Sequence, residues 1–193
     1  MQAQCQGCGQ LVPSHDTVNY GSMDTGYKCL CGRCFNAEVA KLNSFENFEN
    51  VTFRPVALMD DRGEMHKFHI RNRLHGDILV LEAFEIRDES PAGYQFQVIG
   101  DVREDQLTLL GRLIEKTRRA LSIKHLEDGE YGLQIAEHQI VRGLIDCDDT
   151  EDDRVPLLLI DGREISWQEF GRMLMTFEGF QFRLEIRDRS EEI

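Results

Sequence analysis

The spacing of apolar residues changes several times along the chain, and each spacing predicts a different kind of element. Between residues 51 and 99, apolar and polar residues alternate in runs separated by turn-forming sequences such as DDRG at 60–63. Alternation with a period of two is typical of strands that bury one face. The runs therefore predict an antiparallel meander of four strands, at 51–59, 65–72, 77–87 and 94–99.

Two longer segments have the period of a helix instead. Residues 103–125 carry an apolar stripe, and Ser166 is followed three residues later by Glu169, the pattern of a capping box. We expect helices over the first segment and from Ser166 onward. The stripe consists of Leu110, Ile114, Thr117 and Leu121, supported by Leu107 and Leu113. Shorter apolar runs predict a strand or bent pair over 133–146, a hairpin that turns at Asp161–Gly162 and a last strand over 180–186.

Four cysteines near the N-terminus form two Cys-x2-Cys pairs, Cys5 with Cys8 and Cys31 with Cys34. A tight turn with this spacing presents two thiolates to one ion, and two such turns complete the tetrahedron that Zn2+ prefers. We therefore predict a structural zinc ion held by these four residues, with no open coordination position for chemistry. The second pair opens a short helix predicted by apolar residues that recur at Phe35, Val39 and Leu42.

Cys29 is a fifth thiol in the same region. It lies two residues before Cys31, and in an extended segment the two side chains could lie on the same side. Cys29 could then replace Cys31 as a ligand and form a Cys-x4-Cys pair with Cys34. The commoner Cys-x2-Cys spacing favours Cys31.

The order of these features resembles a known class of zinc-binding module. The first cysteine pair lies in a tight turn, here called the first knuckle, which is followed by a loop and by a second cysteine pair that opens a helix. Over residues 5–45 this order resembles the treble-clef class of zinc fingers, and the resemblance rests on the sequences CQGCGQ and CGRCFN. LCGRCFN together with SWQEFGRMLMTFEGFQF near the other end resembles uncharacterised bacterial proteins with an N-terminal zinc module. That resemblance implies no known activity or catalytic residue.

Together the patterns predict an α+β fold in two parts. Residues 1–45 form the small, treble-clef-like zinc-binding module. Residues 46–193 form a domain with a mostly antiparallel sheet and two helices, in which the predicted helices and strands are mixed along the chain. The polar segment NSFENFEN at 43–50 joins the two parts.

Composition and charge restrict the class of protein. The chain has 193 residues and a formal charge of -13, and a surface of that sign repels polyphosphate, which disfavours nucleic acid as a partner. The first ten residues lack the basic and apolar regions of a signal peptide, and no run approaches the ~20 apolar residues of a membrane span. We expect a cytoplasmic protein without membrane contact, in which thiols stay reduced.

These observations favour a zinc-stabilised interaction or regulatory module with a protein partner. The first alternative is an enzyme with its site in the histidine-rich strands 65–87, where His66, His69 and His75 lie. His66 and His69 are three residues apart and face opposite ways on a regular strand, so this hypothesis requires a bulge or a neighbouring strand, and it predicts a second metal ion.

The second alternative is nucleic-acid binding through the zinc module and a basic strip on the polar side of the first long helix, which consists of Arg112, Lys116 and Arg119. The sequence names no substrate, partner identity or oligomeric state.

The acidic run DCDDTEDD at 146–153 lacks the central glycine of a calcium loop, and its twelfth position is Leu157 rather than a glutamate, so we expect a solvated loop.

Overall fold

The structure is a computed structural model and describes residues 1–24, 26–130, 132–148 and 155–191. The N-terminal part contains two small antiparallel hairpins and a helix. Strand β1 (Gln2–Gln4) pairs with β2 (Leu11–Pro13), β3 (Thr17–Ser22) pairs with β4 (Gly26–Cys31), and α1 (Gly32–Leu42) begins directly after β4. The predicted short helix is therefore present, with Phe35 and Val39 buried and Leu42 exposed.

The four predicted strands between residues 51 and 99 form one antiparallel sheet in sequence order. They are β5 (Val56–Met59), β6 (Met65–His75), β7 (Ile78–Arg87) and β8 (Ser90–Asp101). The turn between the last two lies at Asp88 and Glu89, whose φ angles of 50° and 66° suit a two-residue hairpin. Residues 90–93 lie inside β8, next to a register shift between Phe84 and Glu85 of β7.

Helix α2 (Gln106–Leu121) packs on this sheet and is capped by the side chain of Asp105, which accepts a hydrogen bond from the backbone of Thr108. The buried stripe differs from the predicted one by one residue at two positions, because Leu110 and Ile114 each follow directly after a leucine, so two adjacent apolar residues are present at both places. The helix buries Leu109 rather than Leu110 and the supporting Leu113 rather than Ile114, and it buries Thr117 and Leu121 as expected. The other supporting residue, Leu107, is exposed.

The C-terminal part holds a hairpin, a three-stranded sheet and a helix: β9 (Leu126–Gly129), β10 (Gly132–Ile135), β11 (Leu144–Cys147), β12 (Pro156–Ile160), β13 (Arg163–Ser166) and α3 (Trp167–Met175). The β12–β13 hairpin turns at Asp161–Gly162, and Ser166 caps α3 by accepting a hydrogen bond from the Glu169 backbone, both as predicted. The acidic residues 149–153 lie outside the described part of the chain.

The last predicted strand, over 180–186, is wrong. The segment is extended and its residues are exposed, but within the described ranges no other strand pairs with it. Alternation of apolar residues predicts which side chains share a face, and it does not supply the neighbouring strand that a sheet needs.

Three hydrophobic clusters divide the interior. Leu30, Phe35 and Val39 lie in the first, Phe68 and Leu109 in the second, and the third contains Leu126, Ile160 and Met173. The fold is α+β, with antiparallel strand pairs and three helices in the described residues, but the expected single sheet is divided into smaller ones. No helix of the described residues is long and apolar enough to cross a membrane.

Asn36 joins α1 to the four-stranded sheet. Its side chain is fully buried, donates from Nδ2 to the carbonyl of Asn72 at 3.2 Å and accepts at Oδ1 from the backbone N–H of Leu74 at 2.9 Å. Strand β5 pairs with β6 only as far as Phe68, so beyond that residue no strand of the described part of the chain pairs with the outer edge of β6. The Asn36 amide hydrogen-bonds this edge as a strand would.

Candidate metal centre

The four predicted zinc ligands meet at one point. Cys5 and Cys8 lie in the turn between β1 and β2, Cys31 ends β4, and Cys34 lies in the first turn of α1. Their sulfur atoms all lie within 4.8 Å of one another, and the Cys8 and Cys31 sulfurs are 3.9 Å apart. Four sulfurs placed ~2.3 Å from one ion at tetrahedral corners would be about 3.8 Å apart. The cluster therefore has the dimensions to hold a metal ion.

The backbone around Cys5 and Cys8 packs closely against the sulfur atoms of the four-cysteine cluster. A Cβ atom on Gly7 would lie 3.0 Å from the Cys34 sulfur, so this position leaves little room for a side chain. Gly9 has a φ of 73°, in the left-handed region that glycine adopts without strain. Backbone N–H groups of Gly7 and Cys31 point at the Cys5 sulfur, at 3.4 and 3.1 Å. Such N–H groups stabilise a thiolate at Cys5.

The electrostatics of the cluster favour a cation. Burial alone would raise the pKa of Cys5, but the backbone N–H groups that point at its sulfur outweigh burial and lower the pKa to about 6. Burial and the neighbouring thiols raise the pKa of Cys34 to about 12, and burial also raises the pKa of Cys31. Four adjacent thiolates therefore need a positive charge among them, which a divalent ion provides.

Cys29 has a different environment. Its backbone N–H donates to the Gln6 side-chain oxygen at 2.7 Å, and its carbonyl accepts from the Gln6 N–H at 2.8 Å. The cluster within 4.8 Å contains Cys31 and not Cys29. Cys29 thus holds the first knuckle against β4 through its backbone. The assignment of Cys5, Cys8, Cys31 and Cys34 as metal ligands stays a prediction.

The three histidines of the alternative enzyme site do not meet. His69 stacks on Phe84 with ring centroids 6.2 Å apart, and His75 contacts the ring of Phe35 at 5.9 Å. Of the three, His66 belongs to a group of possible metal ligands among the described residues, in which one ring nitrogen and one carboxylate oxygen each from Asp60 and Glu64 lie within 4.8 Å of one another.

Sequence reasoning missed the two acids beside His66 because both belong to the turn sequence between β5 and β6. The observed hairpin pairs Leu58 with His66, and this register brings Asp60 and Glu64 close to the histidine. Glu85, on the neighbouring strand β7, hydrogen-bonds the His66 ring at 2.9 Å. The register of the β5–β6 hairpin, derived from the turn sequence at 60–63, would have predicted that Asp60 and Glu64 lie close to His66.

The basic strip on α2 makes intramolecular contacts throughout. Arg112 pairs with Glu104 at 3.1 Å, and Arg119 pairs with Glu115 on the preceding turn of the helix. Lys116 donates to the carbonyls of Arg189 and Glu191, both at 2.9 Å. The two arginines are neutralised by neighbouring acids, and Lys116 fastens the C-terminal end of the chain to α2.

Comparisons with known proteins find only domains without an assigned function. Residues 4–46 match Domain of unknown function (DUF7685), residues 49–122 match Domain of unknown function (DUF7686) and residues 125–191 match Domain of unknown function (DUF7713). No curated protein and no solved structure matches the chain. The predicted division into residues 1–45 and 46–193 stays a prediction. The chain is thus similar, over nearly its whole length, to three consecutive families of unknown function.

Proposed function

We propose that this chain is a zinc-stabilised cytoplasmic protein that acts by binding a protein partner through residues 180–187, and that the partner is a second copy of the chain. The zinc is structural, because four thiolates leave no coordination position for water or substrate. A reducing compartment suits this proposal, since all the cysteines are unpaired and those of the cluster must remain thiolates.

The N-terminal module has a supporting role in this proposal. The order of the Cys5–Cys8 knuckle, the β3–β4 hairpin and α1 supports a treble-clef module. Helix α1 buries Phe35 and Asn36 against its surroundings, and the latter bonds β6. A helix held in this way is part of the domain interior, so the module acts as a structural support rather than as a free finger.

The observation that carries the proposal is an exposed, amphipathic, extended segment, with which no strand of the described residues pairs. Phe180, Phe182, Leu184 and Ile186 alternate along the chain and are 66%, 88%, 73% and 71% exposed. Arg183 and Glu185 contact each other at 3.4 Å, which places the intervening charged residues on the other face. Among the described residues, the backbone of 181–186 makes no hydrogen bond. The segment therefore offers an apolar row and a free strand edge.

The charges of the segment are self-complementary. If two copies pair antiparallel about a two-fold axis through Leu184, Arg183 of each copy lies opposite Glu185 of the other. The same register places Phe182 opposite Ile186 and Leu184 opposite its own copy, all on the apolar face. Cross-strand pairs of these kinds contribute about 0.2–1 kcal/mol each, and opposite charges set the register.

Both ends of the segment are already held. Phe177, just before it, packs on the third hydrophobic cluster, and Lys116 binds the carbonyls of Arg189 and Glu191 just after it. A tethered, extended segment loses less conformational entropy on pairing than a free tail would. This favours strand pairing as the mode of association.

Sedimentation equilibrium of the zinc-loaded chain at up to about 100 µM tests the proposal, since it detects association free energies beyond about -5.5 kcal/mol. We expect a dimer. Leu184→Lys places two like charges on the axis and should give a monomer, whereas the control Met175→Lys, at an exposed apolar residue outside the segment, should leave the dimer intact.

A charge exchange tests the register. Arg183→Glu should weaken the dimer, because each new glutamate faces Glu185 of the other copy, and the double variant Arg183→Glu/Glu185→Arg should restore it. A monomeric wild-type chain, a dimeric Leu184→Lys variant or a double variant as weak as the single one would each refute the proposal.

A further inference from the structure

We propose that Asp60, Glu64 and His66 bind a divalent cation of the Zn2+, Co2+ and Mn2+ class, at a second site separate from the four-cysteine cluster. Asp60 and Glu64 lie at the two ends of the turn between β5 and β6, and His66 follows on β6. One ligand atom from each residue lies within 4.8 Å of the others. Imidazole and carboxylate ligands together suit this class of ion.

The strongest indication is a gap between two buried ligand atoms. The Nε2 atom of His66 and the Oδ2 atom of Asp60 are 3.6 Å apart, and the two side chains are only 8% and 1% exposed. Among the described residues His66 Nε2 makes no hydrogen bond, Asp60 Oδ2 contacts the Lys124 ammonium group at 3.0 Å, and 3.6 Å is too long for a hydrogen bond between Nε2 and Oδ2. An ion about 2.0–2.2 Å from both atoms would have an N–metal–O angle of about 120°. That angle is within the range of a distorted tetrahedral site.

Glu85 orients the histidine for this role. Its Oε1 atom lies 2.9 Å from His66 Nδ1, and its Oε2 atom accepts a hydrogen bond from the Tyr94 backbone at 2.9 Å. With Nδ1 donating to this fixed carboxylate, the lone pair of the neutral ring is on Nε2, which faces Asp60. Histidines that bind metal ions commonly donate their other ring N–H to a carboxylate in this way.

The ammonium group of Lys124 neutralises part of the negative charge of the carboxylates at this site, and the remaining negative charge favours a bound cation. Its ammonium group lies 3.0 Å from Asp60 Oδ2, while the backbone N–H groups of Arg62 and Glu64 bond Oδ1. A carboxylate oxygen has two lone pairs, so Oδ2 can contact both Lys124 and an ion. Asp60, Glu64 and Glu85 carry three negative charges against two positive charges, on Lys124 and on Arg87, which lies 3.7 Å from Glu85. The group therefore keeps a net negative charge, which favours a cation.

The three protein ligands leave coordination positions for water. Glu64 is exposed, whereas Asp60 and His66 are buried, so the site opens to solvent on the Glu64 side. Solvent exposure on one side provides an entry path for the ion. The four-cysteine cluster, by contrast, has all four positions filled by sulfur once its ion is bound.

A metal titration tests the second site. The chain is first loaded with one equivalent of Zn2+, which fills the cysteine cluster, and Co2+ is then added while visible absorption and metal content are measured. We expect one further ion per chain, with the weak absorption of nitrogen and oxygen ligands and without a sulfur charge-transfer band. His66→Ala should weaken uptake about 100-fold and Glu85→Gln about 10–100-fold, whereas the control His69→Ala should bind as the wild type does.

Two further variants keep the test decisive if His66→Ala does not fold. Glu64→Gln changes an exposed side chain and should weaken Co2+ binding about tenfold or more without lowering the Tm of the cobalt-free protein. Lys124→Met should lower the Tm, because it leaves Asp60 buried without its ammonium partner, and Co2+ should raise that Tm again. A wild-type chain that takes up no second ion at about 1 mM Co2+, a His66→Ala variant that binds normally, or a Lys124→Met variant whose Tm does not respond to Co2+ would overturn the proposal.

Discussion

Replacement of Asn36 by alanine tests how strongly the N-terminal module is attached to the sheet. The change removes the acceptor of the Leu74 N–H and the donor to the Asn72 carbonyl, at a position that is fully buried. A buried N–H without a partner costs about 1–3 kcal/mol, and the other lost hydrogen bond contributes about 0.5–1.5 kcal/mol. We expect the free energy of unfolding to fall by about 3 kcal/mol, a large part of the ~5–15 kcal/mol typical of a domain.

Urea unfolding of the metal-loaded protein measures the loss, and amide hydrogen exchange at Leu74 locates it. The matched control is Asn43→Ala, which removes an exposed asparagine directly after the end of the same helix, where its side chain bonds the Val39 carbonyl, and which should cost no more than about 1 kcal/mol. If Asn36→Ala were no more destabilising than this control, or if Leu74 exchanged as slowly as in the wild type, the side chain would not hold the edge of β6 as described.

The remaining predictions concern the metal cluster, an ion pair and a helix cap. Cys31→Ser should abolish zinc binding at the proposed site and unfold residues 1–45, whereas Cys29→Ser should bind zinc as the wild type does; metal analysis and circular dichroism would show the opposite if Cys29 rather than Cys31 were the ligand. Burial alone would raise the pKa of Glu82, but Arg71, at 2.7 Å, together with Arg73 and Arg189, lowers it. Stability from this pair is therefore present above about pH 4.3, the ordinary pKa of glutamate, and is lost as the pH falls below it. Glu82→Gln should flatten the dependence of urea stability on pH below that value, and an unchanged slope would contradict the assignment. Ser166→Ala should lower the Tm by an amount equivalent to about 1 kcal/mol, because it removes the cap of α3; an unaltered melting curve would mean that the cap contributes nothing.

Features with a strong local cause were predictable from the sequence. The Asp161–Gly162 turn and the Ser166 cap are set by residues within a few positions, and both appear where expected. The two Cys-x2-Cys pairs also identified the four thiols that the fold brings together, because each pair is defined by one tight turn. In these places the local preferences and the tertiary structure agree.

Features that depend on contacts between distant segments were not predictable. Asn36 gave no signal as a buried residue, because its role depends on an edge of β6 that lies 36 residues away along the chain. The group around His66 likewise depends on the register of two hairpins, which brings Glu85 across from β7. The segment 180–186 shows the reverse case, since its alternation is clear but its partner is not supplied by the described chain.

The four-cysteine cluster also bears on the outer edge of β6. Beyond Phe68, this edge is covered by α1 rather than by a strand, and the start of α1 is held by Cys31 and Cys34. A chain without the proposed metal ion would release α1 and uncover a row of backbone donors and acceptors beside the buried Leu74. Such an edge templates further strands and promotes aggregation. Metal supply would then determine how long the protein stays dispersed in the cell, and a chelated sample should form fibrous or amorphous aggregates before its four-stranded sheet has unfolded.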